Sequence, residues 1–167
     1  MSDPTALEPK DPATLRSAQG YYELGMIAEC DTALKELAAE DLLTPDGLEL
    51  SILLNLDRKH YAKTLELCET AIQLYPKVPF GFVNKAFVLH EINQTEKSLQ
   101  VLEESHLVVA IEPVAVYNRG CYLACLTREK EAIFWVNKAI RLSPALYSDA
   151  MKDPDLEGIR DRLEPCQ

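Results

Sequence analysis

The feature that most constrains this chain is an internal repeat. The stretch ETAIQLYP at residues 69–76 returns as NKAIRLSP at residues 137–144, with Ala-Ile, Leu and Pro at the same offsets. Pro45, Pro79 and Pro113 recur at half the distance that separates the two stretches. The two stretches therefore lie two periods apart. A fixed period of about 34 residues is typical of repeat proteins, in which each unit covers its apolar face with the next unit.

Each block of the repeat divides into two helical halves joined by a turn. The blocks align without an insertion and cover residues 11–44, 45–78, 79–112 and 113–146. The first halves end near residues suited to a turn, which are Gly25, Lys59, Asn93 and Thr127. The second halves are amphipathic, as EAIFWVNKAIRL at residues 131–142 illustrates. The pattern therefore predicts four helical hairpins.

Two columns of this alignment predict how closely the helices of a hairpin approach each other. The eighth column is Ala18, Ile52, Ala86 and Gly120, and the twentieth is Cys30, Thr64, Ser98 and Ala132. A small residue on one helix that faces a small residue on the other allows close packing, which a large side chain would prevent. We expect these columns to meet inside each hairpin.

Several helix ends can be predicted from capping residues. Ser, Thr or Asp followed by Pro favours an N-cap and first helical residue, and this pair occurs at Thr44-Pro45, Ser143-Pro144 and Asp153-Pro154. The segment from Asn93 to Glu96 resembles a capping box. Residues 147–152 are predicted to prolong the helix that begins at Ser143-Pro144. A last short helix up to Leu163 would place Leu156 and Ile159 on an apolar face that caps the array.

The composition excludes several classes of protein. A chain of 167 residues that is 47% apolar and 26% charged fits one globular domain, and its apolar runs are too short to span a membrane. The net charge of -10 opposes nucleic-acid binding. Five cysteines without metal-ligand spacing indicate reduced thiols and a cytoplasmic protein, with Cys166 an incidental thiol of the tail. Residues 1–10 lack the layout of a signal peptide and are predicted to be a flexible leader.

In these columns the chain resembles tetratricopeptide repeat (TPR) proteins. The fourth block has the small residue, paired alanines and terminal proline of that family, namely Gly120, Ala132, Ala139 and Pro144. The second block matches at Tyr61, Ala71 and Pro76, and the first at Ala18, Tyr21, Gly25 and Leu34. The third block departs at Ser98, Ser105 and Ala110, and Thr14 departs from the column of large apolar residues. The resemblance implies an all-α, right-handed solenoid of four repeats with a C-terminal capping helix, and residues 147–167 are predicted to be the capping segment and tail.

The resemblance also implies a concave groove lined by the first helix of each repeat. The residues predicted to line it are Leu50, Leu53, Phe80, Val83, Asn84, Phe87, His90, Tyr117, Asn118 and Cys121. Asn84 and Asn118 share a column at which TPR proteins often hold the main chain of a peptide, and a side-chain amide both donates and accepts. TPR domains that clamp an acidic chaperone tail use Lys and Arg in the groove columns, whereas here Arg16 is the only basic residue among them. We therefore expect a non-catalytic adaptor or chaperone-like module that binds an apolar or basic peptide segment.

Other functions stay open at this stage. The size, acidity and apolar groove also resemble a bacterial type III secretion chaperone of the TPR kind, and a self-assembling repeat protein would meet a second copy, as in a homodimer. A thiol or metal enzyme would use Cys121 and Cys125 with His90, but that set is one ligand short of a zinc site. The sequence thus predicts no catalytic residue, no metal and no cofactor, and His106 is expected to be a packed helix residue.

Overall fold

The structure, a computed structural model, describes residues 14–165, which form helices and turns without a strand. The helices are α1 (Leu15–Glu23), α2 (Ile27–Glu36), α3 (Ala39–Leu42), α4 (Pro45–Asp57), α5 (Tyr61–Leu74), α6 (Phe80–Glu91), α7 (Thr95–Glu104), α8 (His106–Val109), α9 (Pro113–Cys125), α10 (Glu129–Leu142) and α11 (Leu146–Ala150). Two 3-10 turns follow at Pro154–Leu156 and Arg160–Arg162. The predicted leader at residues 1–10 and Cys166 lie outside the described residues. Within residues 14–165 no helix is long and apolar enough to cross a membrane.

Four hairpins, α1–α2, α4–α5, α6–α7 and α9–α10, repeat the same turn. The turn residue is left-handed in every hairpin, with φ of 72° at Gly25, 55° at Lys59, 61° at Asn93 and 59° at Thr127. At Thr127 the backbone N–H donates to the carbonyl of Ala124, and the N–H of Arg128 donates to that of Leu123, both at 2.9 Å. This pair of bonds closes the end of each first helix in a Schellman motif.

We expect Thr127→Gly to stabilise the protein. A β-branched residue is strained at positive φ, whereas glycine adopts this conformation freely. After the larger chain entropy of unfolded glycine is subtracted, the free energy of unfolding should rise by about 0.5–1 kcal/mol. Urea denaturation measures the change. The matched control Asn93→Gly should gain less, since Asn tolerates this conformation, and a loss of stability in Thr127→Gly would contradict the explanation.

The second helices of the hairpins alternate between continuous and broken. Helices α5 and α10 run for 14 residues each, whereas the equivalents in the first and third hairpins break, at Leu37 between α2 and α3 and at Ser105 between α7 and α8. The continuous helices have Ala71 or Ala139 at the column of Leu37 and Ser105. The buried hydroxyl of Ser105 donates to the Val101 carbonyl at 2.7 Å, a bond that competes with regular helix geometry.

Proline also decides where these second helices end. Pro76 and Pro144 stand two residues after the last residue of α5 and α10, and a residue before proline avoids the helical conformation. The equivalent positions in the other two blocks are Leu42 and Ala110, and there the extra helical turns α3 and α8 form. Residues 69–76 and 137–144 share Ala-Ile, Leu and Pro because each stretch belongs to a second helix that is unbroken and that ends at a proline.

Only some of the predicted caps occur. Thr44 is the N-cap of α4, and its side chain accepts from the Gly47 N–H, with Pro45 as the first helical residue. Asp153 accepts from the Asp155 N–H, but it begins a 3-10 turn rather than the predicted capping helix. Ser143 is the C-cap of α10 instead of an N-cap, because α11 begins after Ala145. The predicted capping box at Asn93 is wrong, since Asn93 is the left-handed turn residue.

The core lies inside the hairpins and between neighbouring hairpins. All eight residues of the eighth and twentieth columns of the repeat, which were predicted to meet inside each hairpin, are buried. One apolar cluster joins the first two hairpins and includes Ala18, Cys30 and Leu50, and another within the second includes Ile52 and Cys68. The largest cluster unites the third and fourth hairpins with the C-terminal segment, whose Leu156, Ile159 and Leu163 are buried. Residues 153–163, called the C-terminal segment below, therefore cap this end of the array.

Candidate functional site

A groove of about 480 Å³ runs across the first helices of the second, third and fourth hairpins, α4, α6 and α9. Its lining residues are Leu53, Leu56, Asp57, Lys59, Tyr61, Val83, Asn84, Phe87, Glu91, Val114 and Asn118. About half of these are apolar, and Phe87 is 39% and Val114 47% exposed. Exposed apolar side chains that are gathered in a concave surface are typical of a binding site.

Two amide side chains stand at equivalent positions of neighbouring repeats in this groove. Asn84 on α6 and Asn118 on α9 occupy the same column of the repeat, and both are half-buried. The Asn84 Nδ2 donates to the Phe80 carbonyl at 2.8 Å, which orients the side chain and uses one of its two N–H groups. Within residues 14–165 the carbonyl oxygen and the second N–H of that amide have no hydrogen-bond partner, and an amide can both donate and accept.

The polar edge of the groove is mainly acidic. Asp57 and Glu91 oppose the single cation Lys59 among the lining residues. The Tyr61 hydroxyl donates to the Glu91 carboxylate at 3.1 Å and fixes its position. This distribution of charge favours a neutral or basic ligand over an acidic one.

The structure brings five of the ten predicted groove residues together, namely Leu53, Val83, Asn84, Phe87 and Asn118. Leu50 is only 5% exposed, because it packs in the cluster between the first two hairpins, so its prediction as a groove residue is wrong. Phe80 packs against the core of the second hairpin. His90 turns to the C-terminal segment, where its Nε2 lies 3.1 Å from the Asp155 carboxylate.

The C-terminal segment covers the part of the concave wall that α9 was predicted to present. Tyr117 and Cys121 are 8% and 3% exposed, and both contact the Asp153 carboxylate. The Tyr117 hydroxyl donates to Asp153 Oδ2 at 2.7 Å, and the Cys121 thiol lies 3.6 Å from the same oxygen. Tyr117 and Cys121 are therefore buried contacts of the cap, and the prediction that they line an open groove is wrong.

The thiols near the cap are not activated as nucleophiles. Burial raises the pKa of Cys121 well above its ordinary value, and the nearby charges of Asp153 and Asp155 add to the shift. Burial, followed by the charge of Asp155, raises the pKa of Cys125 to about 11. A nucleophilic cysteine needs a lowered pKa, so this geometry does not support a thiol enzyme at these residues.

A second cavity of about 440 Å³ lies away from the groove, between α7, α8, α9 and α10. Arg119 stacks over the Trp135 ring, with its guanidinium carbon 4.0 Å from the ring centre, and also pairs with Glu103. The Lys138 ammonium lies 4.6 Å from the same ring. The Trp135 ring and Glu103 thus engage the two cations of this cavity, while Arg119 Nε has no hydrogen-bond partner among residues 14–165.

Comparison with solved structures identifies this arrangement of hairpins. The chain superposes on TTC0263, a thermophilic TPR protein of Thermus thermophilus, with a TM-score of 0.68 over 89% of this chain and 94% of that one, at 18% identity. The chain has the TPR fold. It also superposes on YrrB, described as a TPR protein with an unusual peptide-binding site, with a TM-score of 0.60 over 89% of this chain and 81% of YrrB, at 13% identity. No protein-family model and no curated protein matches the amino-acid sequence.

Proposed function

We propose that the protein is a non-catalytic interaction module, of the adaptor or chaperone-like kind, that binds an extended peptide segment in the groove of α4, α6 and α9. The observation that carries this proposal is the pair of half-buried amides, Asn84 and Asn118, in a groove lined about half by apolar side chains. The TPR fold supports it, since solenoids of this kind present extended concave surfaces to their partners. YrrB's description as a peptide binder supports the same class of ligand.

The spacing of the helices sets the length of peptide that the two amides span. Packed helices lie about 8–10 Å apart, and an extended peptide advances roughly 3.3 Å per residue, so the amides would hold peptide units about three residues apart. Val83 and Phe87 line the same groove and would contact apolar side chains of the peptide. Asp57 and Glu91 at the edge favour Lys or Arg in the flanking positions.

We expect the double variant Asn84→Ala, Asn118→Ala to bind such peptides at least tenfold more weakly. Each hydrogen bond to the peptide main chain contributes about 1 kcal/mol, and about 1.4 kcal/mol corresponds to a factor of ten in the dissociation constant. The probe is an array of peptides with an apolar centre and either basic or acidic flanks. Fluorescence anisotropy then measures the dissociation constant of the best sequences for each variant.

Two comparisons make this experiment decisive. Phe134→Ala removes an exposed aromatic side chain from α10, outside the groove, and should leave the affinity unchanged. Peptides with acidic flanks should bind more weakly than those with basic flanks, and the difference should shrink as salt screens Asp57 and Glu91. Equal binding by the wild type and the double variant, or an array without any bound peptide, would overturn the proposal.

Self-association is the alternative that a separate observation favours. Leu107 and Ile111, on and after the extra turn α8, are 85% and 80% exposed. A second copy of the chain could cover them, which would give the homodimer considered from the sequence. Light scattering of wild type and a Leu107→Glu, Ile111→Glu variant tests this: a dimer that becomes a monomer supports self-association by α8, whereas a monomer in both cases opposes it. The hypothesis of a type III secretion chaperone uses the same groove and stays a prediction.

A further inference from the structure

Three side chains that can bind a metal converge beside the groove. They are His90 at the end of α6, Cys125 at the end of α9 and Asp155 in the C-terminal segment, and their ligand atoms all lie within 4.8 Å of one another. His90 Nε2 and Asp155 Oδ2 are 3.1 Å apart. Cys125 is exposed and the side chains of His90 and Asp155 are 18% and 33% exposed, so an ion can enter from solvent.

Neighbouring groups orient the side chain of His90 and the backbone that carries Asp155. His90 Nδ1 lies 3.0 Å from the Thr95 hydroxyl, which leaves Nε2 directed at Asp155. When Nδ1 carries the hydrogen and donates a hydrogen bond to the Thr95 hydroxyl, Nε2 presents its lone pair to an ion. The Asp155 N–H donates to the Asp153 side chain at 2.9 Å, and Arg160 donates to the Asp153 carbonyl, also at 2.9 Å. Hydrogen bonds that orient ligands in this way are typical of metal sites.

A buried tyrosine hydroxyl gives independent evidence for a ligand at this place. Tyr122 is 2% exposed, and its hydroxyl has no hydrogen-bond partner among residues 14–165. Its ring packs on the His90 imidazole, with 4.8 Å between the ring centres. A buried hydroxyl normally has a partner, and a water bound to an ion at this site would provide one.

We propose that His90 Nε2, Cys125 Sγ and the Asp155 carboxylate bind a zinc ion, with a water in the fourth position near the Tyr122 hydroxyl. One nitrogen, one sulfur and one oxygen ligand suit Zn²⁺, whereas Mg²⁺ and Ca²⁺ take oxygen ligands. The prediction of no metal rested on Cys121 and Cys125 with His90, a set one ligand short of a closed zinc site, whereas three protein ligands and a water make an open one. In the structure Cys121 is buried against Asp153, and Asp155 is the third ligand instead.

The geometry needs only a small adjustment to bind the ion. In a tetrahedral site with bonds of about 2.0–2.3 Å, the ligand atoms stand roughly 3.3–3.8 Å apart. The His90–Asp155 distance is close to this range, and the exposed Cys125 side chain can rotate inward to shorten the longest separation. Because its ligands come from the third hairpin, the fourth hairpin and the C-terminal segment, the ion would fasten the cap to the array and stabilise the folded state by mass action.

Titration of the metal-free protein with Zn²⁺ alone tests the proposal. All proteins carry Cys166→Ser, which removes the thiol that lies outside the described residues. Among the described cysteines only Cys125 is exposed. We expect one Zn²⁺ per chain, and at least about 100-fold weaker binding in Cys125→Ser and in Asp155→Asn, since loss of a supporting group alone typically costs 10–100-fold. Thr95→Val, which removes only the hydrogen bond to His90, should weaken binding by about tenfold.

Three further measurements guard this test against misinterpretation. The controls His106→Gln and Asp161→Asn change an exposed histidine and an exposed carboxylate elsewhere, and should bind Zn²⁺ like the parent protein. Co²⁺ should give a thiolate charge-transfer band in the parent that disappears in Cys125→Ser. Circular dichroism reports whether each variant is folded. Zn²⁺ binding of equal strength in parent and Cys125→Ser, or a Co²⁺ complex without the thiolate band, would overturn the site.

Discussion

Gly120→Ala is expected to lower the free energy of unfolding by about 2 kcal/mol, the middle of the range for an overpacked core. Gly120 lies at a close contact between α9 and α10. A Cβ atom at this position would stand 2.5 Å from Val136 Cγ2, 3.0 Å from the Val136 backbone nitrogen and 3.3 Å from the Ala132 carbonyl. The Val136 side chain can rotate, but the backbone atoms move only if the two helices separate. Urea denaturation measures the loss, and Gly120→Leu should lose more.

Gly20→Ala is the matched control for this prediction. Gly20 is also inside a first helix, α1, but a Cβ atom there would meet nothing within 4 Å. Alanine is the better helix former, so Gly20→Ala should raise the free energy of unfolding by about 0.5–1 kcal/mol. The same substitution is thus expected to have opposite signs at the two positions. Equal effects at both would mean that close packing at Gly120 does not limit stability.

The periodic part of the fold could be predicted from the sequence because every repeat solves the same packing problem. The left-handed turns at Gly25, Lys59, Asn93 and Thr127 and the small buried columns recur at fixed offsets, so four weak signals add up to a strong one. The helix breaks at Leu37 and Ser105 could not be predicted in the same way. They arise in the two repeats that lack the Ala and the Pro of the common pattern, and the pattern alone does not say whether such a departure breaks the helix.

The candidate site, too, could be predicted only where it follows the repeat. Leu53, Val83, Asn84, Phe87 and Asn118 could be predicted to lie together because their three columns of the alignment face one side of the solenoid. Tyr117 and Cys121 belong to the same columns, yet the C-terminal segment covers them. That segment has no periodic counterpart, and the sequence does not reveal which surface it will contact.

Asp155 was missed as a possible ligand for a related reason. Its proximity to His90, which is 65 residues earlier in the chain, depends on how the C-terminal segment folds back over α9. The available signal was the run of acids in Asp153-Pro154-Asp155, directly after the last hairpin. Such a run is usually solvated, so only the structure could show that one of its carboxylates meets an imidazole and a thiol.

Leu156→Ala is expected to cost about 3 kcal/mol, a value within the range for a fully buried leucine that is cut to alanine. Leu156 is fully buried in the cluster that joins the cap to the fourth hairpin. In a solenoid an end unit is stabilised by one neighbour only, so a weakened cap should also expose Tyr117 and Cys121 at low urea. Hydrogen exchange of α9 and urea denaturation measure the two effects, with the exposed Glu157→Ala as control.

A loss below about 1 kcal/mol in Leu156→Ala would contradict the assignment of the C-terminal segment as a fixed cap, since buried leucines rarely cost so little. The segment would then behave as a detachable lid, and the concave wall would extend from Asn118 to Tyr117 and Cys121. Peptide affinity separates the two cases. With a fixed cap, the affinity of the folded Leu156→Ala protein equals that of wild type, because the groove of α4, α6 and α9 is already open. With a lid, the same substitution lengthens the groove and tightens the binding of peptides long enough to reach Tyr117.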